Sequence, residues 1–176
     1  MPDGKNGESR QIRSFRHPIP SICGNPTKML LRSNHNHQAS NTADIDDIFT
    51  VRTSVRENHL SLEQLRHMGI TQESIGSIIS EAECTWIAEA EGVTVGFTMA
   101  DAEDGSVFAL FVRPEWENKG VGKLLLEKLG AFLFSRHEML WLETDGSNRA
   151  AGFYARQGWT RAAELENGDA RFEKRR

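Results

Sequence analysis

Residues 107–126 of the chain read VFALFVRPEWENKGVGKLLL and are the most informative segment of the sequence for the fold. Its residue order predicts a buried strand to Val112, an exit ended by Pro114, a loop with Gly120 and Gly122, and then a helix. Several backbone N–H groups without helical partners and the positive end of the helix dipole would then meet at one point. Such a point is suited to binding a phosphate or a diphosphate.

Hydrophobic spacing before this stretch predicts helices followed by strands. Helices are expected over residues 42–58, from Ser61 to Gly69, and after Thr71. Two strands follow, over residues 85–90 and 93–101, joined by a tight turn at Glu91 and Gly92. The strand over residues 106–112 is apolar on both faces, which is typical of the centre of a sheet.

Beyond the stretch, a helix is expected from Gly120 to about residue 136 and a strand over residues 139–144. This strand should run parallel to residues 106–112, because a helix connects the two. A helix over residues 149–157 precedes a last hairpin, formed by residues 159–165 and 170–173. Residues 1–40 lack a hydrophobic period, apart from a mostly polar strand pattern within residues 28–39. They are expected to form a flexible or loosely docked extension of one domain at residues 41–176.

Composition narrows the class of protein. The chain has 176 residues, a net charge of -4 and 26% charged residues, which favours a globular domain and argues against nucleic acid as a partner. No apolar run reaches the roughly 18 residues of a membrane span, and the polar start of the chain is unlike a secretory signal, so we expect a cytoplasmic protein with no membrane partner. Cys23 and Cys84 are expected to be free thiols, and no Cys or His spacing indicates a metal.

Two common nucleotide-binding loops do not fit the glycine loop. A Walker A loop requires glycine where Glu117 stands and serine or threonine where Leu124 stands. A dinucleotide fingerprint requires a third glycine where Leu125 stands. The remaining interpretation is a shorter anion-binding loop, in which the N–H groups of residues 118–123 bind a diphosphate and Lys119 and Lys123 add positive charge. A plain strand-to-helix turn is the alternative.

Tyr154, the only tyrosine of the chain, lies in the helix predicted over residues 149–157. Its hydroxyl is a proton donor near neutral pH, with a reference pKa of about 10. A departing thiolate is a suitable acceptor for such a proton. Alternatively, Tyr154 is a core aromatic residue with its hydroxyl at the rim.

Several short motifs together resemble the GNAT superfamily of N-acetyltransferases. They are FVRPE at residues 111–115, KGVGKLL at 119–125, NRA at 148–150, FY at 153–154 and GW at 158–159. The resemblance covers roughly residues 42–173. It implies an α+β fold with a central mixed, mostly antiparallel sheet that contains a splayed parallel strand pair and is flanked by helices. It also implies an acyltransferase, of the class that transfers groups other than aminoacyl groups, with acetyl-CoA as co-substrate.

The resemblance implies the following roles. The central strand holds the pantetheine arm, the glycine loop holds the diphosphate, and Tyr154 protonates the departing sulfur of coenzyme A. The chain departs from the family at Glu117, where the family usually has arginine or glutamine. This departure matters because a carboxylate beside a diphosphate is electrostatically unfavourable. The cofactor-binding residues are then Leu110, Phe111, Val112, Asn118, Lys119, Gly120, Val121, Gly122, Lys123, Ser147 and Tyr154.

Direct attack of a primary amine on the thioester is the expected mechanism. A backbone N–H near Phe111 or Val112 would stabilise the oxyanion, and Glu143 is the first candidate for the base, ahead of Glu57 and Asp101. Arg56, Glu57 and Asn58 resemble the family's acceptor-side wall and could contact the substrate. Arg52 is expected at the surface, paired with Asp46 or Asp47.

The acceptor on these grounds is an amine of a small molecule or a peptide, and a homodimer through the last strands is compatible with the fold. Three alternatives remain open at this stage. The first is transfer of a longer acyl chain. The second is a sensor module that binds acyl-CoA without turnover. The third is an anion-binding interaction protein, which follows if Gly120 and Gly122 only form a tight turn.

Overall fold

The computed structural model describes residues 29–33, 42–56, 59–81 and 84–176. Within these ranges, seven strands form one sheet, and five helices pack against it. The strands are β1 (Met29–Ser33), β2 (Thr85–Ala90), β3 (Val93–Asp101), β4 (Ser106–Val112), β5 (Met139–Asp145), β6 (Thr160–Glu164) and β7 (Asp169–Arg175). The helices are α1 (Thr42–Ser54), α2 (Leu62–His67), α3 (Gln72–Glu81), α4 (Val121–Phe134) and α5 (Arg149–Arg156), with a 3₁₀ turn at Pro114–Trp116.

The sheet has the order β1-β2-β3-β4-β5-β7-β6. Neighbouring strands are antiparallel except β4 and β5, which are parallel. The expected α+β fold, with a mixed and mostly antiparallel sheet, is therefore confirmed. Strand β4 is the fourth of the seven, which confirms the central position predicted from its two apolar faces.

Strands β4 and β5 separate soon after they meet. Their register contains the single pair Ser106 and Trp141, whereas β5 pairs with β7 along its whole length. Trp141 fixes the end at which the two strands still pair. Its backbone N–H donates to the Gly105 carbonyl at 3.2 Å, and its indole N–H donates to the Asp104 carbonyl at 3.0 Å. The remainder of the two strands forms an open wedge, which we call the splay.

Each face of the sheet has its own hydrophobic core. Helices α4 and α5 pack on the face to which Val112, Leu142 and Tyr154 contribute. Helices α1, α2 and α3 pack on the other face, together with Phe97 and Phe111. Because side chains alternate along a strand, neighbours in β4 and β5 contribute to opposite faces.

Gly96 in β3 sets the position of α4. A Cβ built on Gly96 would lie 2.8 Å from the Phe111 carbonyl oxygen and 3.2 Å from side-chain carbons of Val121 and Leu125. Helix α4 therefore contacts the strand closely only because residue 96 has no side chain.

Two details differ from the sequence-based expectations. Helix α1 ends at Ser54 rather than at residue 58, and Val55 and Arg56 follow in non-helical conformation. Strand β1, in contrast, lies within the strand pattern of residues 28–39 and pairs with β2. Arg52 is buried, not at the surface, because its position on α1 faces the sheet, while Asp47 accepts a hydrogen bond from Thr94 instead.

Candidate active site

The hydrogen-bond pattern of β4 decides which of its main-chain groups face the splay. The Arg113 N–H donates to the Val95 carbonyl at 2.9 Å, so every second residue back from Arg113 directs its N–H and C=O groups toward β3. Phe111 is one of these residues. Leu110 and Val112 direct theirs to the opposite side, where β5 has already separated. Of the two residues expected to supply the oxyanion N–H group, Val112 therefore directs its N–H toward the splay and Phe111 does not, while Leu110 is a second residue that does.

A bulge in β4 produces this orientation. The register passes from Ala100 opposite Val107 to Met99 opposite Ala109, so Phe108 is an extra residue in β4. Before the bulge, the Gly105 carbonyl faces β5, where it accepts from Trp141. After the bulge the alternation is reversed, which turns the N–H groups of Leu110 and Val112 into the splay. Sequence reasoning missed this bulge, since no glycine or proline marks it.

The glycine loop presents a row of amides at the end of β4. Asn118 and Gly120 have positive φ values of 61° and 82°, and no side chain caps the start of α4. The first hydrogen bond of the helix runs from the Leu124 N–H to the Gly120 carbonyl at 3.0 Å. Within the part of the chain that the structure describes, the N–H groups of residues 118–123 have no hydrogen-bond acceptor. We call these six residues the cradle, and their donors are available to an anion.

The two lysines of the cradle have protein partners. The Lys119 ammonium lies 4.6 Å from the centre of the Trp116 ring, and the Lys123 ammonium lies 3.7 Å from a carboxylate oxygen of Glu127. Both contacts are local, so the lysines remain close to the cradle and contribute positive charge there.

Glu117 does not point freely into the cradle. Its Oε2 atom lies 3.5 Å from Nη2 of Arg149, the first residue of α5. The Glu117 side chain is only 14% exposed, whereas that of Arg149 is 50% exposed. The unfavourable carboxylate expected from the sequence is thus paired with a cation from the other side of the splay.

Tyr154 lies on α5 with its ring in the core. Its ring centre is 5.2 Å from that of Phe153, 6.0 Å from that of Trp159 and 6.2 Å from that of Phe172. Burial raises the pKa of Tyr154 well above its ordinary value, so the hydroxyl stays protonated at neutral pH. Complete transfer of its proton to a thiolate with a pKa near 8.5 is unfavourable at equilibrium. The hydroxyl is therefore suited to donate a hydrogen bond to a departing sulfur.

Glu143 lies on β5, half-buried, directly opposite Arg171 of β7. The Arg171 guanidinium lies 4.0 Å from the centre of the Trp141 ring, and its Nε atom is 3.3 Å from a carboxylate oxygen of Glu173. Because Leu142 shares the core of Tyr154, its neighbour Glu143 points to the opposite face of the sheet. The two candidate catalytic residues therefore flank the splay from opposite faces.

The turn between β5 and α5 contains further polar groups. Ser147 donates both its N–H and its hydroxyl to Oδ1 of Asp145, at 2.8 and 2.7 Å. Asn148 caps α5 by accepting from the N–H groups of Ala150 and Ala151. The Nδ2 atom of Asn148 and the hydroxyl of Thr144 are buried, and neither has a hydrogen-bond partner within the described ranges. Sequence reasoning gave these two residues no role, although Asn148 stands in one of the quoted motifs.

The proposed acceptor wall is described in part. Arg56 is exposed at the bend after α1, and Glu57 and Asn58 lie outside the described residues. Arg52 places its guanidinium 4.7 Å from the centre of the Phe111 ring, and burial lowers the pKa of Arg52 to about 10. Asp101, one of the weaker candidates for the base, accepts a hydrogen bond from the Glu103 N–H in the turn after β3.

None of the described helices combines the length and the apolar character needed to cross a bilayer. The described ranges also contain no group of three or more His, Cys, Asp or Glu side chains arranged to hold a metal ion.

Comparison of the sequence with protein-family models finds one that matches residues 81–161, and its description is acetyltransferase (GNAT) domain. The matched range begins at the end of α3 and ends in β6, so it contains the splay, the cradle and Tyr154. No curated protein matches the sequence significantly.

Solved structures with the same architecture are distant in sequence. The PaiA N-acetyltransferase of Thermoplasma acidophilum, solved in complex with coenzyme A, has a TM-score of 0.68 at 17% identity, over 85% of this chain and 99% of that chain. The ribosomal-protein-alanine N-acetyltransferase of Brucella melitensis has a TM-score of 0.62 at 18% identity, over 84% and 99%. The ribosomal-protein-S18-alanine N-acetyltransferase of Escherichia coli has a TM-score of 0.57 at 20% identity, over 82% and 90%. Identities this low establish the shared fold alone.

Proposed function

We propose that the chain moves an acetyl group from acetyl-CoA to a primary amine by direct attack, and the match of residues 81–161 to a model described as an acetyltransferase (GNAT) domain supports this proposal. One observation carries the proposal. The only parallel strand pair of the described sheet separates where Leu110 and Val112 direct their main-chain groups, and the unbonded amides of the cradle follow directly. This arrangement suits a ligand with a peptide-like arm joined to a diphosphate.

The pantetheine arm would extend the sheet inside the splay. Its amide groups can exchange hydrogen bonds with the N–H and C=O groups of Leu110 and Val112, as a strand of the sheet does. The diphosphate would then bind the N–H groups of residues 118–123, at the start of α4. At the other side of the splay, the buried amide of Asn148 could donate to the arm. Ser147 offers the cofactor only an acceptor, since its hydroxyl already donates to Asp145.

Acetyl transfer in the splay needs a hydrogen-bond donor to the oxyanion, a base for the amine and a hydrogen-bond donor to the departing sulfur. The amine nitrogen would attack the thioester carbon, whose oxygen becomes negative and accepts from a main-chain N–H of Leu110 or Val112. Glu143 would take the proton that the amine loses. The C–S bond then breaks, and the sulfur leaves as a thiolate that accepts a hydrogen bond from Tyr154.

The acceptor would approach from the face of α1, where Glu143 lies. We assign contact with the acceptor to Arg56, which follows α1, and to Glu57 and Asn58, which lie outside the described residues. The acceptor class that fits is a primary amine of a small molecule or of a peptide.

A turnover assay tests the proposed function. The protein is incubated with acetyl-CoA and a panel of amines that contains peptides, polyamines and amino sugars, and the release of free thiol is followed. We expect amine-dependent release with at least one class. If coenzyme A binds while no amine releases thiol, the protein is a sensor and the proposal is wrong. Parallel reactions with longer acyl-CoA substrates measure the preferred chain length.

A further inference from the structure

The ion pair of Glu117 and Arg149 spans the open end of the splay. Glu117 directly precedes the cradle at the end of the segment that follows β4, and Arg149 opens the helix that follows β5. The two strands pair only at Ser106 and Trp141 and separate beyond that point, and the two charged residues are 32 positions apart in the sequence. Their contact of 3.5 Å thus joins the two sides of the wedge at its mouth.

Each of these residues is unfavourably placed within its own segment. The carboxylate of Glu117 is largely withdrawn from solvent and adjoins the donors of the cradle, where it would repel a diphosphate. The guanidinium of Arg149 lies in the first turn of α5, where the helix dipole disfavours a positive charge. The attraction between the Glu117 carboxylate and the Arg149 guanidinium offsets both electrostatic costs when the two groups lie side by side.

We propose that Glu117 and Arg149 form a positioning pair for coenzyme A, in which Arg149 neutralises the carboxylate beside the cradle and so permits the diphosphate to bind. The inference rests on the proposed function. The role of Arg149 is indirect, because it acts through Glu117 rather than on the phosphates. Removal of the carboxylate should therefore make Arg149 dispensable for cofactor binding.

Calorimetric titration of coenzyme A into a set of variants tests the pair. Arg149→Ala should weaken binding about tenfold, as expected when a largely desolvated charge loses an oppositely charged neighbour. Glu117→Gln should bind at least as tightly as the wild type. The double variant E117Q/R149A should stay within about twofold of Glu117→Gln, since no carboxylate is left to neutralise. Arg156→Ala removes an exposed arginine from the far end of α5 and is the matched control, with no expected change.

Measurements of turnover and of folding distinguish a role of Arg149 in positioning coenzyme A from a role in stabilising the fold. At saturating acetyl-CoA, kcat of Arg149→Ala should stay within about twofold of the wild type while KM for acetyl-CoA rises. If Arg149→Ala folds poorly, Arg149→Lys keeps the charge and should retain wild-type binding.

Three outcomes would overturn the inference. An equal loss from Arg149→Ala in both backgrounds means that Arg149 contacts the phosphates itself, and no loss means that the pair is an ordinary surface contact. In both cases the wild type still binds coenzyme A, so the proposed function stands. If the wild type does not bind coenzyme A, the proposed function and the inference are both wrong.

Discussion

At the scale of single residues, burial separates the two candidate proton carriers. Tyr154 is only 4% exposed and is enclosed by aromatic rings, whereas Glu143 is half-buried beside Arg171. A buried hydroxyl with a raised pKa stays neutral and donates, and a carboxylate that reaches solvent can accept a proton and pass it on. This difference in burial is why we propose Tyr154 as the hydrogen-bond donor to sulfur and Glu143 as the base.

Tyr154→Phe should lower turnover about 100-fold or more, because the variant keeps the ring and removes the hydrogen bond to the departing sulfur. The affinity for coenzyme A should change by less than about threefold, since the hydroxyl contributes to the reaction rather than to binding. Steady-state kinetics with any accepted amine and calorimetric titration of coenzyme A measure the two quantities. A parallel fall in both would show that Tyr154 is structural.

The raised pKa of Tyr154 also predicts a loss of stability in alkali. Below about pH 10, the tyrosine is neutral in the folded and in the unfolded chain, so its contribution to stability is constant. Above that pH, the unfolded chain loses a proton that the folded chain keeps. The free energy of unfolding should then fall by up to about 1.4 kcal/mol per pH unit from this residue, until the folded protein ionises as well.

Urea unfolding between about pH 9 and pH 11 measures this dependence, and Tyr154→Phe is the control that keeps all other alkaline groups. Because Tyr154 is the only tyrosine, the ultraviolet absorbance of tyrosinate reports its ionisation directly. An absorbance midpoint near pH 10 in the folded protein would contradict the burial of the hydroxyl.

At the scale of elements, two glycines have opposite expected effects on stability. Gly96→Ala should destabilise the fold by about 1 to 3 kcal/mol, because its Cβ would meet the Phe111 carbonyl oxygen at 2.8 Å and push α4 away from β3. Gly130→Ala, in the interior of α4, meets nothing within 4 Å. It should stabilise the protein by about 0.5 to 1 kcal/mol through higher helix propensity.

Chemical denaturation of both variants measures these changes, and the pair serves as its own control for the effect of an added methyl group. Gly96→Ala should also weaken binding of coenzyme A, since α4 carries the start of the cradle. An unchanged stability of Gly96→Ala would mean that α4 does not depend on close contact with β3.

Local patterns explain why much of the fold was predictable. The apolar run of β4 predicted a central strand, and the connection through α4 predicted the parallel pairing with β5, and both are confirmed. The early end of α1 and the burial of Arg52 were not predictable, because tertiary contacts with the sheet decide them. The same holds for the Phe108 bulge, which sets the direction of the main-chain groups in the splay yet leaves no mark on hydrophobic spacing.

The candidate site was predictable to the extent that main chain forms it. Positive φ at Gly120 and uncapped amides at the start of α4 follow from the order of glycines in the loop. The partner of Glu117 was not predictable, since Arg149 is distant in sequence and its contact depends on how far the two strands separate. A carboxylate that is unfavourable beside its sequence neighbours thus acquires a counter-charge in the folded molecule.

At the scale of the whole molecule, the splay is an opening in an otherwise continuous sheet. A sheet that opens at its centre leaves main-chain hydrogen bonds unmade, and a ligand that makes them should stabilise the folded state. Acetyl-CoA at about 100 times its dissociation constant should therefore raise the free energy of unfolding by about 2.7 kcal/mol. For a chain of this size, that gain corresponds to a rise in Tm of roughly 5 to 10 °C.

Thermal unfolding with increasing acetyl-CoA measures the gain, and adenosine 3′,5′-bisphosphate, which lacks the diphosphate and the pantetheine arm, is the matched control. We expect the control to give a much smaller shift, because its single 5′-phosphate accepts fewer hydrogen bonds in the cradle than a diphosphate does and it leaves the splay empty. Gly120→Ala should reduce the shift caused by acetyl-CoA, since a side chain at φ 82° strains the loop that orients the amides. Equal shifts from the two ligands would place binding outside the splay and contradict the role of Leu110, Val112 and the cradle.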